Sequence, residues 1–405
     1  MGVTIGPVSS DRADEYLGVM GRAFGFDSEP EDIERFNHTF EWDRAWAAYD
    51  GDRMVGTVGA FSLDMTVPGS TMACGGTTVV SVLPTHRRQG ILRMMIDSHL
   101  EDVRDHSEPI AGLWASDSGI YGRFGYGLAA REAEIEVSRD NSSFHRLAPA
   151  RTPVRLIAAD EAADLLPGFY DTQRRRYPGF LARSAAWWKY RRLRDRRSDR
   201  DGATAYRFAV TEENGVVTGF VQFRFKEKWT KGHGAGELKI KELLGSDPES
   251  WAGLWRFVLD HDLTSVITAY HRPLDDPLYG LLAAPRRARS VVEDSLWIRI
   301  MDIPAALEGR AYGASARAIL EIRDPLTSTT SVWEADLSPD GSRVAATDQE
   351  PQVALDLEDL GACFMGWSRF QELAAAGRLE GDPAALADLD RAFMWHPAPW
   401  CNEVF

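Results

Sequence analysis

Short apolar runs alternate with amphipathic helical segments along the first 148 residues. The apolar runs predict strands at 53–67 with a turn at 68–70, at 77–83, at 110–115 and at 133–137. Pro84 ends the β-branched run 77–83, which is typical of a central strand. An amphipathic segment lies near 10–24, and apolar residues recur at three- and four-residue steps over 91–103, which predicts a helix packed on the sheet by one face. This part of the chain predicts a mixed α/β domain, 1–148.

The remaining chain predicts two further domains. Two prolines and several small polar residues mark 141–153 as a linker. After it the sequence predicts a hairpin over 206–225, a helix over 251–261 and a strand over 265–270. From 296 the pattern changes to short strands separated by Asp, Gly and Pro, followed by a helix over 367–376. We therefore predict an α/β domain at 154–295 and an α+β domain at 296–405.

Composition places the chain among ordinary globular proteins. Its 405 residues are 44% hydrophobic and 26% charged, which is enough to bury several cores. A net charge of −15 repels nucleic acid and anionic membranes on average and favours cationic substrates. The three cysteines, Cys74, Cys363 and Cys401, are too few for a disulfide framework or a zinc site, and no spacing indicates a metal.

We expect a cytoplasmic protein with no nucleic-acid or membrane partner. The N-terminus has no charged segment followed by an apolar one, and no apolar run reaches the length of a membrane span. One stretch, 171–201, departs from the acidic average with eleven Lys or Arg against four Asp. A nucleic-acid site would need a wholly basic domain, so we interpret this stretch as a helix with a buried aromatic stripe and a solvated or subunit-facing basic side.

The chemistry-bearing segment is Leu83-Pro84-Thr85-His86-Arg87-Arg88-Gln89-Gly90, between the strand ending at Val82 and the helix 91–103. The first amides of a helix lack internal acceptors and carry the positive end of the macrodipole, so such a turn can hold a phosphate. Arg87 and Arg88 would add charge, and Gly90 would allow close approach. The alternative is a solvated helix cap.

The segment resembles the acetyl-CoA loop of the GNAT N-acetyltransferases, Arg or Gln, two residues, Gly, one residue, Gly or Ala. Here 87–92 satisfies this pattern except at Leu92. A second GNAT-like segment follows in the expected order, 120–127, in which Tyr121 precedes Gly125-Tyr126 by four residues. The chain lacks Gly-x-Ser-x-Gly, a Walker loop and a His pair at metal-ligand spacing, which argues against hydrolases and nucleotidases.

The resemblance extends to the Eis (enhanced intracellular survival) family of actinobacterial acetyltransferases. The segments that carry it are 84–88, 119–127, 296–301 with 304–307, and the terminal Phe405. It implies two tandem GNAT-like domains, the second without its own CoA loop, and a sterol-carrier-protein-like α+β domain at the C-terminus. It also implies acetyl-CoA as cosubstrate and assembly as a homo-oligomer, a hexamer in this family.

The resemblance also implies roles for individual residues. Backbone N–H groups near Val80 and Val82 would pair with pantetheine and polarise the carbonyl, and Ser116 would lie near the cofactor or, alternatively, cap a helix. Tyr121 is the candidate acid because a phenol can protonate a thiolate; its alternative is a packing residue.

In the Eis family the carboxylate of the last residue takes the substrate proton, and that residue here is Phe405. The alternative is a frayed end. For the acceptor, Phe24, Asp27, Trp42 and Glu403 are candidate walls of an acidic, aromatic pocket for a cationic amine, although such aromatics are more often core residues.

Two hypotheses about function follow. The first is an acetyl-CoA-dependent N-acetyltransferase acting by direct transfer on cationic amines such as aminoglycosides, or on lysine side chains. The second is a non-catalytic binding protein whose sterol-carrier-like domain holds an apolar ligand. The Arg87-Arg88-x-Gly90 loop together with Tyr121 favours the first.

Overall fold

The computed structural model describes residues 2–405 and contains three main sheets. The strands are β1 (Thr4–Pro7), β2 (Ala45–Asp50), β3 (Arg53–Val67), β4 (Ser70–Val82), β5 (Ile110–Trp114), β6 (Gly127–Leu128), β7 (Arg131–Ser138), β8 (Val154–Ile157), β9 (Arg207–Glu213), β10 (Val216–Lys226), β11 (Trp229–Thr230), β12 (His233–Gly234), β13 (Gly236–Gly245), β14 (Thr264–Arg272), β15 (Ala288–Asp294), β16 (Leu296–Ile300), β17 (Ala316–Asp324), β18 (Thr329–Leu337), β19 (Arg343–Ala346), β20 (Val353–Asp356) and β21 (Glu380–Gly381).

Helices cover the faces of these sheets. They are α1 (Ala13–Phe24), α2 (Pro30–Thr39), α3 (Ile91–Asp105), α4 (Ala159–Arg174), α5 (Ala185–Trp187), α6 (Pro248–Leu259), α7 (Leu278–Leu281), α8 (Ile303–Glu308), α9 (Leu357–Phe364), α10 (Phe370–Ala375) and α11 (Pro383–Phe393). Helix α5 continues as one π-helical turn over Trp188–Arg192. No helix within residues 2–405 combines the length and the apolar character that crossing a bilayer requires.

The first sheet has the strand order β1-β2-β3-β4-β5-β16-β6. Its long hairpin, β3 and β4, turns at Pro68-Gly69 as the sequence predicts, with Val67 paired to Ser70. Helix α3 buries one apolar face on this sheet, including Ile91, Met95 and Val103, as its periodicity predicts. The hydrophobic pattern does not predict α2, because that helix is largely polar and buries only Phe36.

The second sheet has the order β15-β7-β14-β13-β10-β9-β8. Two strands therefore lie in a different sheet from the one that their position in the chain implies. Strand β7 belongs to the second sheet although it precedes the predicted boundary at 148, and β16 is inserted between β5 and β6 of the first sheet although it follows the boundary at 296. Apolar alternation predicts a strand but not its partner, which explains the difference.

The C-terminal unit has a five-stranded sheet, β19-β18-β17-β20-β21. Helix α9 joins this unit to the first sheet and crosses β6 and β16 at very close range. A Cβ atom on Gly127 would lie 1.8 Å from the carbonyl oxygen of Glu358, and one on Gly361 would lie 2.2 Å from that of Ile298. Glycine is required at both positions because any side chain would separate the two units.

The basic stretch 171–201 differs in part from our interpretation of a solvated or subunit-facing basic side. Arg174 binds Asp64 of the first unit, and Arg183 and Arg192 bind the buried Glu242. The aromatic stripe is buried as expected, but these guanidinium groups turn inward. A count of charges along the chain does not reveal their acidic partners, which lie far away in sequence.

The last residues, 394–405, return from α11 to the groove between the two larger units. The backbone N–H of Trp400 donates to the carbonyl of Pro178 (2.7 Å), and the Asn402 amide donates to Glu242 (2.7 Å). Glu403 pairs with Arg183. The chain end is therefore held by buried polar contacts and by the buried side chain of Trp400.

Candidate active site

Strands β4 and β5 separate after a short parallel pairing. Their register runs only from Cys74 opposite Ile110 to Gly76 opposite Gly112, while β4 continues to Val82. On its other edge β4 has an irregularity at Val79, where φ is +48°. A β-bulge bends a strand and increases its local twist, so this end of β4 leaves an unpaired backbone edge beside an open cleft.

The turn after β4 leads directly into the uncapped N-terminus of α3. Gly90 precedes the helix in the left-handed conformation (φ +81°), no side chain caps the first amides, and no atom lies within 4 Å of the position of a Cβ on this residue. Arg87 donates to the carbonyls of Val82 (3.4 Å) and Ala23 (3.2 Å). The turn therefore places positive charge beside the free N–H groups at the start of α3.

A cavity of about 940 Å³ lies over this turn. Its lining includes all of the residues predicted to contact the cofactor and the predicted acid: Val80, Val82, Arg87, Arg88, Gly90, Ser116 and Tyr121. Arg93 and Arg123 also line it, whereas Asp117 is its one acidic side chain. The structure therefore brings these predicted residues together in one basic cleft.

Tyr121 lies at the inner end of the cleft and is nearly buried, with 5% of its surface exposed. Burial raises the pKa of Tyr121 to about 12, with a smaller contribution from Asp117, so the phenol keeps its proton at neutral pH. Ser116 caps no helix: the short 3₁₀ turn that follows begins at Gly122 with Tyr121 as its N-cap. The helix-cap alternative for Ser116 is therefore wrong.

A chain of buried polar groups lies beneath Tyr121. Thr77 Oγ1 is 2.8 Å from the Tyr126 hydroxyl and 2.7 Å from His99 Nε2. Complete burial lowers the pKa of His99 to about 3, so this ring stays neutral. Tyr126 is fully buried, and its ring packs edge-on to that of Tyr121 with the ring centres 6.0 Å apart.

A second, smaller cavity of about 220 Å³ meets the first one. Phe24, Val80, Ser116 and Tyr121 line both. Phe405, the last residue, lines the smaller cavity and is 7% exposed, and its ring lies close to Gly76, 3.3 Å from the position of a Cβ there. Phe405 and Tyr121 therefore line the same cavity, and the chain end is buried and not frayed.

The predicted acidic, aromatic wall is only partly present. Phe24 lines both cavities, but Asp27 is an exposed residue between α1 and α2 and lines neither. Trp42 packs against Tyr16 and Phe40 in the core. Glu403 is a buried residue of the C-terminal tail and forms an ion pair with Arg183. A buried carboxylate needs such a charged partner, so Glu403 does not form part of the cavity wall.

Among the residues of the smaller cavity that were not predicted as site residues are Arg35, Trp114 and Arg191. Arg35 lies on α2, which the sequence pattern did not indicate. Arg191 belongs to the basic stretch that we interpreted as solvated. Their positions depend on contacts between distant segments, for which the sequence contains no local signal.

Comparison with known proteins agrees with this architecture. Residues 4–129 and 179–300 each match an acetyltransferase (GNAT) domain, and 303–402 match a sterol carrier protein domain. An uncharacterised N-acetyltransferase of Streptomyces avermitilis is 38% identical over 95% of both chains, and the N-acetyltransferase Eis of Mycobacterium tuberculosis is 32% identical over 85% of this chain and 84% of its own. The structure of Eis1 from Mycobacterium abscessus superposes with a TM-score of 0.86 at 26% identity over 100% of both chains.

Two GNAT domains followed by a sterol-carrier-like domain define an N-acetyltransferase, which confirms the predicted fold class and enzyme class. The chain belongs to the Eis family of GNAT N-acetyltransferases.

Proposed function

We propose that this enzyme transfers the acetyl group of acetyl-CoA directly to an amine at the point where the two cavities meet. The observation that carries the proposal is that Tyr121, Ser116 and Val80 line both cavities, while Phe405 reaches the smaller one. The larger cavity is the donor side and the smaller cavity is the acceptor side.

The residues of the larger cavity fit the charge of CoA. Arg87, Arg88 and the free amides of α3 would bind its phosphates, since helix N-termini and guanidinium groups are good phosphate ligands. The unpaired edge of β4 near Val80 and Val82 would hydrogen-bond the pantetheine chain. Acetyl-CoA supplies an activated thioester carbonyl when it is bound.

Tyr121 is the proton donor to the departing sulfur. Burial raises the pKa of Tyr121 to about 12, so the phenol is protonated at neutral pH and can donate its proton when negative charge develops on the sulfur. Its position at the junction of both cavities supports this role over that of a packing residue.

Phe405 supplies the carboxylate that receives the proton of the incoming amine, directly or through water. An α-carboxylate has an unperturbed pKa of about 3.3 to 3.7, so it is a weak base that also attracts an ammonium group. Its ring, packed near Gly76, holds the terminus in position.

A test of the proposal is a thiol-release assay with acetyl-CoA and a panel of amines that includes aminoglycosides, lysine peptides and small primary amines. Thiol release that depends on the amine supports the proposal, and no release with any amine contradicts it. The same preparation tests a family-like hexamer by light scattering. The observations above do not favour the alternative, an apolar ligand held by the sterol-carrier-like unit, in which Phe364, Met365 and Leu389 are fully buried.

A further inference from the structure

The acceptor cavity is basic, contrary to the acidic wall expected from the sequence. Among its lining residues the charged side chains are Arg35 and Arg191, and no Asp or Glu is present. The one carboxylate that a lining residue carries is the terminus of Phe405. Neither guanidinium group therefore has an acidic side chain of the lining as a partner.

Arg35 has little compensation of its charge from the protein. Its nearest carboxylate oxygen is on Asp32, 3.8 Å away. Asp32 already accepts hydrogen bonds from Arg196 (3.0 Å) and Arg194 (3.4 Å). Within residues 2–405 the Arg35 guanidinium donates no hydrogen bond, and 35% of its side chain is exposed.

Arg191 also has spare hydrogen-bonding capacity. Its Nη2 donates to the carbonyl of Val404 (3.1 Å), and its guanidinium stacks on Trp187 at 4.1 Å, but Nη1 is buried with no partner within residues 2–405. Burial, together with the charges of Arg35 and Arg192, lowers the pKa of Arg191 to about 10. An unpaired buried donor is costly, and an anion would satisfy it.

Apart from five hydroxyl-bearing residues, the rest of the lining is apolar or aromatic and includes Met20, Phe36, Phe61 and Trp114; the hydroxyl-bearing residues are Thr39, Thr77, Thr78, Ser116 and Tyr121. The volume of about 220 Å³ is below the usual range for drug-sized ligands, so it suits a small molecule. A polycation would place its ammonium groups beside Arg35 and Arg191, where like charges repel.

We propose that the preferred acceptor is a small amine that also carries a carboxylate on an apolar or aromatic body, such as an aromatic amino acid. Arg35 and Arg191 bind the carboxylate, the aromatic side chains contact the body, and the amine faces Tyr121. The carboxylate of the acceptor then balances the charge of these two guanidinium groups. This inference rests on the proposed function and specifies the substrate class of the same site.

The test compares acids with the amines that lack only the carboxylate: L-phenylalanine with 2-phenylethylamine, and L-tryptophan with tryptamine. Thiol release from acetyl-CoA gives kcat/KM for each, and kanamycin serves as the polycation. We expect each acid to exceed its amine by about tenfold or more, the range of one charge-assisted contact, and kanamycin to be the poorest.

Variants of Arg35 test whether this residue causes the preference for acids over amines. Arg35→Gln should lower the ratio of acid to amine about tenfold, and Arg35→Lys should restore part of it. Arg22→Gln, an exposed arginine on α1 that lines neither cavity, is the matched control and should keep the ratio. Thermal unfolding of each variant checks that it is folded.

Three results contradict the inference. The first is a wild type that prefers the amines or kanamycin to the acids. The second is an Arg35→Gln variant in which kcat/KM falls equally for the acid and the amine of a pair, which would assign the arginines to anchoring the Phe405 tail. Both of these leave the acetyltransferase proposal intact. Failure of every amine, with or without a carboxylate, overturns the proposed function and this inference with it.

Discussion

Each of the two larger sheets contains a parallel strand pair that separates toward one end. In the first, β4 leaves β5 after Gly76, and in the second, β13 leaves β14 after Ile240. The first opening is a basic cavity of about 940 Å³. The second opening is occupied by the protein itself: Arg272 donates to the carbonyl of Leu243 (2.8 Å), and the Trp400 indole donates to that of His271 (2.5 Å).

The helices that follow β4 and β13 also differ, because the N-terminus of one is free and that of the other is capped. Helix α3 begins at an uncapped Gly90 beside Arg87 and Arg88. Asp247 is the N-cap residue of α6, and its carboxylate accepts a hydrogen bond from the N–H of Ser250 (2.7 Å). A carboxylate at a helix N-terminus satisfies its amides and repels phosphate. One architecture thus supports an open, cationic cleft in one unit. In the other unit, Arg272 and Trp400 fill the gap between the strands, and a separate cavity of about 800 Å³ lies beside the capped start of α6.

Tyr121→Phe gives the largest expected effect. Loss of a positioned proton donor lowers kcat by roughly 10² to 10⁴, whereas the affinity for acetyl-CoA should be kept because the ring remains. Steady-state kinetics and a titration of acetyl-CoA measure the two quantities. Tyr279→Phe, in the second unit, is the control and should turn over like the wild type. Equal rates for Tyr121→Phe and wild type would make Tyr121 a packing residue.

Trp400→Ala tests the filled cleft. Trp400 is 1% exposed and packs against Tyr177 and Phe180, so its removal should lower the free energy of unfolding by about 3 to 5 kcal/mol. Denaturant unfolding measures this loss, and acetylation should fall too because the same tail positions Phe405. Trp367→Ala, at a residue that is 42% exposed, should change stability little. If Trp400→Ala and Trp367→Ala lowered the free energy of unfolding equally, the buried Trp400 of the tail would contribute no more to stability than an exposed tryptophan.

The double variant Arg87→Ala with Arg88→Ala tests the open cleft. Each charge-assisted phosphate contact is worth about 1.5 to 3 kcal/mol, so KM for acetyl-CoA should rise tenfold or more. The matched control is Arg175→Ala with Arg176→Ala, because this pair lines the cavity of about 800 Å³ at the start of α6. We expect the control to keep the wild-type KM and one acetyl-CoA bound per chain. An equal rise in both variants would remove the distinction between the clefts.

The open cleft was largely predictable from the sequence, because its parts are contiguous. The strand to Val82, the arginine turn and the amphipathic helix α3 are consecutive segments with local signals. The position of Phe405 was expected only from the family resemblance, since no local pattern directs a chain end to a strand more than 300 residues earlier.

The filled cleft and the acceptor wall were not predictable in this way. The exchange of β7 and β16 between sheets, the inward turn of Arg183 and the meeting of Arg35 with Arg191 all depend on non-local contacts. Hydrophobic periodicity indicates which face of an element is buried, but not which distant element buries it. Glu403 is the clearest case: its charge pointed to a substrate role, and its partner is Arg183.

The central claim is that the last residue of the chain completes the acceptor cavity that meets the open cleft. Removal of Phe405 shifts the terminal carboxylate by roughly 3.3 to 3.6 Å, and a C-terminal tag moves it farther. The direct measurement is kcat/KM for acetylation by these two proteins, alongside Phe405→Leu, which keeps the carboxylate in place, and an N-terminally tagged chain. We predict at least a tenfold loss for the deletion and the C-terminal tag, with thermal stability and acetyl-CoA affinity retained, and a much smaller loss or none for the other two. A folded, C-terminally tagged protein that acetylates amines at the untagged rate would contradict the account.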